Sequence, residues 1–309
     1  MKRVAASLLA SAGLLAAGPV AAAPASAAVS ADACVRGNIA IRYVVMGGEA
    51  SILGRPVVCQ TATATGGAYD VFERGVIYWS PASGAWDVSG EFLNLWSWTG
   101  WENGFLRYPT STENPIRSGG VYQVFQGGTL YWSPASGAHS VSGSFRDLFG
   151  ATGWENGLLG YPLSQEADIR AGGVYQVFQG GVAYWSPTTG AHSVSGEFLR
   201  LYATTGYENG YLGYPTTQEV AGRAGGVHQD YQGGALFWSP QTGARALQGP
   251  ILDRYRRAGA EDGVLGYPTS GEFDVPGGRR VDFQHGFIEW SPALGALVDQ
   301  SVSGPVVPS

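Results

Sequence analysis

Lysine is almost absent from this sequence, because the single lysine, Lys2, lies at the very start of the chain. The other cations are arginines, and charged residues make up only 14% of the chain. Without Lys2 and Arg3, 16 arginines and 24 acidic residues leave a net charge of −8. A sparsely charged, acidic surface argues against nucleic acid or an anionic membrane as the partner.

Cysteine is also scarce, since only Cys34 and Cys59 are present. Two cysteines in an exported chain most simply form a disulfide. A redox pair or a metal site is the alternative, but the two residues lack a C-x-x-C spacing and a nearby histidine. The sequence therefore predicts a structural disulfide, with no cofactor and no metal.

Long apolar runs are missing except near the N-terminus. Lys2 and Arg3 precede an apolar run from Val4 to Val20, and Ala25-Ser26-Ala27 fits a signal-peptide cleavage site. The run is short and alanine-rich, which favours a cleaved signal over a permanent membrane helix. We therefore predict a signal peptide at residues 1–27 and an exported, soluble mature protein with no membrane insertion.

Motifs for hydrolase nucleophiles, zinc sites and phosphate-binding loops are absent from the sequence. Two of the four histidines, His139 and His192, stand where equivalent segments carry Trp86, Arg245 and Leu297. A histidine that leucine replaces is not typical of a catalytic base. We expect that the protein is not an enzyme.

The dominant positive feature is an internal repeat of about 53 residues. The tetrad Leu-Gly-Tyr-Pro ends at Pro162, Pro215 and Pro268, and altered copies end at Pro109 (Leu-Arg-Tyr-Pro) and Pro56 (Leu-Gly-Arg-Pro). Such a regular period predicts a repeat architecture. A recurring glycine frames an N-terminal lead (28–36), five units and a C-terminal tail (301–309), the units being 37–89, 90–142, 143–195, 196–248 and 249–300. Too few residues remain for a separate catalytic domain.

A short helix is predicted near the start of each unit. In the third unit Phe145, Leu148 and Phe149 have the spacing of one face of a helix. Gly153 follows, and glycine stands at this position in all five copies. A residue with positive φ just past the helix explains that glycine.

Three strands are predicted in the rest of the unit. Residues 174–179 and 182–186 flank Gly180-Gly181, a hairpin signal, and residues 191–194 form a third short strand. The predicted fold is thus an α+β repeat, with one short helix and a three-stranded antiparallel β-meander per unit. One unit is too small to bury a core alone, so neighbouring units must stack.

The repeated motifs resemble the LGFP repeat family of actinobacterial exported proteins. They are Leu-Gly-Tyr-Pro-Thr-Ser/Thr-x-Glu, Gly-Gly-Val-Tyr-Gln-x-Phe-Gln-Gly-Gly and Tyr-Trp-Ser-Pro-x-x-Gly-Ala-His, with tyrosine replacing the family's phenylalanine. The resemblance implies a non-catalytic, cell-wall-associated module whose five copies close into one pseudo-five-fold domain. An open solenoid with capped ends is the alternative. The first copy, Leu53-Gly54-Arg55-Pro56, departs most from the pattern.

An aromatic residue precedes Glu-Asn-Gly in the three middle copies. A flat ring beside a carboxylate and an amide suits carbohydrate recognition. Alternatively, Asn-Gly only makes a turn and the ring packs on the next repeat. The candidate glycan-binding residues are Trp101, Glu102, Asn103, Trp154, Glu155, Asn156, Tyr207, Glu208 and Asn209.

Two further series recur in the repeats. The tryptophan of Trp-Ser-Pro stands in every copy, as expected of a core position, with a sugar platform as the alternative. The glutamate of the second series follows Ser or Thr by two residues and is expected to hold a turn. The second series consists of Glu113, Glu166, Glu219 and Glu272.

The sequence therefore predicts a secreted, wall-associated, non-catalytic repeat protein. It would bind a cell-envelope glycan, either peptidoglycan or arabinogalactan, through several weak sites. One alternative is a scaffold or adhesion protein that binds another protein, and another is an unrecognised wall hydrolase. We expect a monomer.

Overall fold

The computed structural model describes residues 34–300. The predicted signal peptide (1–27), the tail (301–309) and residues 28–33 of the lead lie outside this range. Five nine-residue helices begin at the glycines that start the five predicted units. They are α1 (Gly37–Val45), α2 (Gly90–Trp98), α3 (Gly143–Ala151), α4 (Gly196–Thr204) and α5 (Gly249–Arg257).

The predicted helix face and its glycine stop are confirmed in the third unit. Phe145, Leu148 and Phe149 are all buried on one side of α3. Gly153 follows with φ of 96°, a left-handed conformation that costs glycine least. A one-turn 3₁₀-helix then carries the chain away from the helix axis.

Each helix is followed by a four-stranded antiparallel sheet in which neighbours in sequence pair. Sheet 1 contains β1 (Pro56–Ala62), β2 (Ala68–Phe72), β3 (Gly75–Ser80) and β4 (Gly84–Ser89). Sheet 2 contains β5 (Asn114–Pro115), β6 (Val121–Phe125), β7 (Gly128–Ser133) and β8 (Gly137–Ser142). Sheet 3 contains β9 (Ala167–Ile169), β10 (Gly173–Phe178), β11 (Gly181–Ser186) and β12 (Gly190–Ser195). Sheet 4 contains β13 (Val220–Ala221), β14 (Val227–Tyr231), β15 (Gly234–Ser239) and β16 (Gly243–Leu247). Sheet 5 contains β17 (Phe273–Val275), β18 (Gly278–Phe283), β19 (Gly286–Ser291) and β20 (Gly295–Asp299).

The prediction of three strands per unit was wrong by one strand. The extra strand comes first in each sheet and is only two or three residues long in sheets 2 to 5. In sheet 3 its residues Ala167 and Asp168 pair with Tyr175 and Val174. A run this short shows no alternation of apolar and polar residues, so periodicity did not reveal it.

The sheets and helices alternate, and the hydrophobic cores lie between them. In the second core, Val76, Tyr78 and Val88 of sheet 1 pack with Phe92 and Trp96 of α2 and with residues of sheet 2. The third to fifth cores repeat this arrangement. Each sheet thus has an inner face toward its own helix and an outer face toward the next helix. We call the contact of sheet n with the next repeat junction n.

Two hydrogen bonds fasten each middle repeat to the one before it. The Tyr161 hydroxyl of Leu-Gly-Tyr-Pro donates to the Arg117 carbonyl over 2.6 Å. The fully buried Gln176 donates from Nε2 to the Ser140 carbonyl of the preceding repeat at 2.7 Å, and also to the Ser164 carbonyl of its own repeat at 2.9 Å. Buried carbonyl groups need such partners, so these side chains fix the spacing of the repeats.

The first repeat lacks both of these fasteners. Arg55 replaces the tyrosine and pairs with Glu49 at the surface. Asp70 replaces the glutamine and is buried, and neither carboxylate oxygen has a hydrogen-bond partner. These changes are expected of a repeat with no predecessor to bind.

The two ends of the array are open. On α1, Val44 is 73% exposed, and on sheet 5, Leu297 is 54% exposed. The outer face of sheet 5 also places Glu289 and Asp299 where sheet 1 has the buried Tyr78 and Val88. Charges there would be costly to bury. The five repeats therefore form an open stack and do not close into the five-fold ring that the resemblance implied.

The disulfide between Cys34 and Cys59 is confirmed. It ties the residues that precede α1 to β1, and Cys34 is buried in the first core. In residues 34–300, no helix is both long and apolar enough to cross a bilayer.

Candidate binding clefts at the repeat junctions

The predicted aromatic-Glu-Asn segments form 3₁₀ turns that enter the junctions. The turns are Trp101–Asn103, Trp154–Asn156 and Tyr207–Asn209. Their aromatic residues have positive φ, at 57°, 54° and 53°. This conformation is uncommon for bulky residues and costs about 1 kcal/mol or more. Gly48 holds the same position in the first repeat without that cost.

Each of these rings is anchored by one edge and open on another side. Trp101 packs edge-on against Trp96 with centroids 5.4 Å apart, and Trp154 packs against Phe149 at 5.8 Å. Tyr207 packs against Tyr202 at 5.7 Å. Trp154 remains 40% exposed and Tyr207 42% exposed. The rings are therefore held in place while still presenting apolar surface to solvent.

The glutamates lie deeper than the rings. Glu155 and Glu208 are buried, and each accepts a hydrogen bond from the next residue, Asn156 at 2.7 Å and Asn209 at 2.5 Å. Asn103 bonds Glu102 in the same way at 2.9 Å. The asparagine thus orients the carboxylate, so the ring and the carboxylate are the groups left to meet a ligand.

The opposite wall of each cleft is a pair of tyrosines that sequence analysis did not single out. Tyr122 and Tyr131 stack across strands on the outer face of sheet 2, with centroids 6.0 Å apart. Tyr69–Tyr78 and Tyr175–Tyr184 are the matching pairs. The repeated Val-Tyr-Gln and Tyr-Trp-Ser-Pro motifs contained this signal, but only the pairing register brings the tyrosines together.

The hydroxyls of Tyr131 and Tyr184 remain protonated at neutral pH. Burial, together with the nearby negative charge of Glu155, raises the pKa of Tyr131 far above its ordinary value. Burial and Glu208 act in the same direction on the pKa of Tyr184. A protonated hydroxyl beside a carboxylate provides one donor and one acceptor for hydroxyl-bearing ligands.

The second junction contains an open cavity of about 400 Å³. Tyr122, Tyr131, Trp154 and Glu155 line it, together with Arg146 of α3. The cavity brings a predicted ring and a predicted carboxylate to one place. It is wide enough for a small ligand.

The fourth junction is built differently and is occupied by an internal ion pair. Ala260 stands where the others have an aromatic ring, and His228 Nδ1 lies 2.6 Å from the buried Glu261 carboxylate. That hydrogen bond raises the pKa of His228, although burial opposes it. Burial alone would raise the pKa of Glu261, but the His228 contact and a backbone hydrogen bond together outweigh burial and lower that pKa.

The other recurring residues are structural. Trp185 and its counterparts are partly buried at the edges of the cores, in agreement with the core interpretation. Glu166 and Glu219 accept hydrogen bonds from Ser142 and Ser195, the residues that precede α3 and α4. In the part of the chain described, no group of three or more His, Cys, Asp or Glu residues could hold a metal ion.

Comparison with known proteins identifies the class of repeat. The LGFP repeat model matches residues 53–104, 106–157, 159–210, 212–263 and 265–305. The chain therefore belongs to the LGFP repeat family. The family unit begins at the Leu-Gly-Tyr-Pro tetrad, so it combines one sheet with the helix and turn of the next junction.

Solved structures are only distantly similar. The extracellular domain of a one component system from B. thetaiotaomicron is 12% identical over 83% of this chain and 31% of its own, with a TM-score of 0.17. The TCP10 domain of Danio rerio CPAP is 8% identical over 80% of this chain and all of its own, with a TM-score of 0.24. Such scores carry no argument about fold or function. Among curated proteins, none matches the chain.

Proposed function

We propose that this protein is an exported, non-enzymatic module that binds a cell-envelope glycan through its first three junctions. The observation that carries the proposal is the repeated pairing of a half-exposed ring with an oriented carboxylate. The ring is kept at a strained backbone position in three successive repeats. Strain of this kind clusters at functional sites.

The chemistry of the clefts fits saccharide hydroxyls. Rings such as Trp154 offer a flat apolar face for a sugar, and the carboxylate and tyrosine hydroxyl offer an acceptor and a donor. Three shallow sites would each bind weakly. Engagement of neighbouring sites by one polysaccharide would raise the overall affinity by avidity.

Export and wall association are part of the proposal. They rest on the signal-like segment at residues 1–27 and on the wall association that the resemblance to the family implies. Peptidoglycan and arabinogalactan are the candidate polymers. A scaffold that binds another protein is the second candidate function, because the exposed apolar residues of α1 would suit a protein partner.

Co-sedimentation of the mature protein with purified actinobacterial wall tests the proposal. The wall would be used before and after acid removal of the arabinan-type polymer. Binding that survives this treatment assigns the ligand to peptidoglycan. Binding that is lost with the arabinan-type polymer assigns the ligand to that polymer. Absence of binding to both preparations would overturn glycan recognition and favour a protein partner.

Trp154→Ala is the informative variant, and we expect it to lower the bound fraction several-fold. Alanine is compatible with the backbone, since Ala260 holds the same position with φ of 49°. Trp98→Ala is the matched control, because Trp98 is 89% exposed on α2 and outside the predicted clefts. Equal losses for the two variants would contradict a cleft-specific role. Release of reducing sugar or peptide from the wall would instead favour a hydrolase.

A further inference from the structure

Arg146 makes the second junction different from the other three. The equivalent helix position is Leu93 in α2, Leu199 in α4 and Leu252 in α5, all packed against the cores. At this helix position only α3 carries a cation, which lines the cavity at the outer face of the preceding sheet, whereas Arg256 of α5 reaches sheet 4 from another position and is paired with Asp230. No property of the fold requires an arginine there, because leucine serves in every other junction.

The guanidinium of Arg146 has no direct ion-pair partner in residues 34–300, although the Glu155 carboxylate lines the same cavity. Its Nε atom is buried without a hydrogen-bond partner, and in residues 34–300 the side chain forms no hydrogen bond or ion pair. Glu155 lines the same cavity but is oriented by Asn156. Because Nε is shielded from solvent, a ligand in the cavity would meet Arg146 at its terminal guanidinium nitrogens, and pairing them there would offset part of the cost of holding an unbonded cation in a partly buried place.

The surroundings of Arg146 restrict what that ligand can be. Trp154 and Tyr122 border the cavity, so a ring-shaped, partly apolar body fits beside the cation. An anionic group would form an ion pair with the guanidinium, whose planar arrangement of N–H donors matches a carboxylate. A doubly charged phosphate would be repelled more strongly by Glu155, which favours a singly charged carboxylate.

We propose that the second junction selects a saccharide that carries a carboxylate, with Arg146 pairing to the acid and Trp154 packing on the sugar ring. This inference rests on the proposed glycan function and names the ligand class for one of its sites. The first and third junctions, with leucine at this position, take neutral sugar units.

The test compares a glucuronic-acid-containing disaccharide with its carboxyl-reduced form, in which the acid is an alcohol. Binding is followed by NMR titration of the Trp154 indole N–H. We expect the wild type to bind the acid at least tenfold more tightly than the reduced sugar. Added salt would narrow that difference.

Two reciprocal variants test whether the charge of Arg146, and not its contribution to folding, causes the preference for the acid. Arg146→Leu copies the other junctions, so it should fold normally and lose the preference for the acid, binding the acid and the reduced form with equal affinity. Leu199→Arg should create a comparable preference at the third junction, followed through Tyr207. Arg146→Lys should retain part of the preference, because it keeps the charge but not the planar arrangement of donors.

The outcomes are distinct for the two proposals. Equal binding of acid and reduced forms by the wild type would overturn the role of Arg146 while leaving glycan binding intact. Failure of both forms to bind would also overturn it, and the wall co-sedimentation assay would then decide the broader function independently. Persistence of the acid preference in Arg146→Leu would assign it to another residue.

Discussion

The interior of this molecule and its two ends are made from the same repeat under different demands. At an interior junction, an uncharged side chain such as Gln176 is fully buried and bonded to two carbonyls. At the first repeat the matching Asp70 is buried with no partner, and at the fifth the position is Val281. The comparison teaches that the buried glutamine occurs in repeats that lie between two others, and that both end repeats replace it.

The outer faces show the same principle. The middle sheets place Tyr131, Tyr184 and Phe237 against the following helix, where they are buried. Sheet 5 has Glu289 at this position, and beside it Arg280 lies 3.6 Å from the ring of Phe287. A charged outer face ends the stack at its C-terminal side, whereas the N-terminal side stays apolar on α1.

The largest expected effect is at an interior glutamine. Gln229→Val should lower the free energy of unfolding by about 3 kcal/mol, because it leaves the carbonyls of Ser193 and Thr217 and the Tyr231 hydroxyl without their partner. Valine itself fits the strand, as Val281 shows. Urea unfolding followed by tryptophan fluorescence measures the change. A loss below 1 kcal/mol would mean that these bonds do not hold the repeats together.

The same substitution at the first repeat should have the opposite sign. Burial raises the pKa of Asp70 from 3.8 to about 7. The ionised carboxylate is therefore disfavoured in the folded state, and stability falls as pH rises from about 4 to 7. Asp70→Val should add about 2 kcal/mol at pH 8, and the gain should shrink below pH 4, where the carboxyl is protonated in both states. A gain independent of pH would assign the effect to packing alone.

The tyrosine fastener offers a smaller contrast. Tyr161→Phe removes the hydroxyl that bonds the Arg117 carbonyl and should cost about 1 kcal/mol. Arg55→Ala, at the equivalent position of the first repeat, should cost less than about 0.5 kcal/mol, since its pair with Glu49 is exposed. Thermal unfolding of both variants checks the difference. Similar losses would show that the tetrad acts within its own repeat.

Much of this organisation could be predicted from the sequence. The repeat, the helix over Phe145 to Phe149, the hairpin at Gly180-Gly181 and the Cys34–Cys59 bond each follow from a local pattern. The aromatic-Glu-Asn turns were found because they recur with a charge and an amide. Whether those turns bind a ligand remains a prediction.

The rest depends on contacts between residues that are distant in sequence. Gln176 looks like a polar surface residue until Ser140, 36 residues earlier, is seen to accept its hydrogen bond. The Tyr122–Tyr131 wall depends on strand register. That Arg146 has no hydrogen-bond partner becomes visible only when the residues around it in the folded cleft are known. The open ends were discernible in Glu289 and Arg55, but only as departures from the repeat, and such departures also suit two ends that meet in a ring.

The smallest expected effect tests the one junction whose cleft is closed by charge. His228→Tyr restores the residue type that Tyr122 and Tyr175 provide elsewhere and removes the ion pair with Glu261. Because the folded pKa of His228 is raised, its contribution is complete below the unfolded value near 6.5 and is lost as pH rises through the folded value. The lowered pKa of Glu261 preserves the contribution above about 4.5 and loses it at lower pH. Asp230 supports the charged histidine and Arg256 opposes it, and neither is changed.

The His228→Tyr variant should therefore be about 0.5–1 kcal/mol less stable than the wild type near pH 5.5 and almost equal to it at pH 8. If the variant and the wild type gave the same unfolding curves at both pH values, the His228–Glu261 pair would contribute packing but no electrostatic stabilisation. The fourth junction of this variant has the tyrosine but still has Ala260 in place of an aromatic ring. If it gains no affinity for the ligand, recognition depends on the ring of Trp154 and its counterparts.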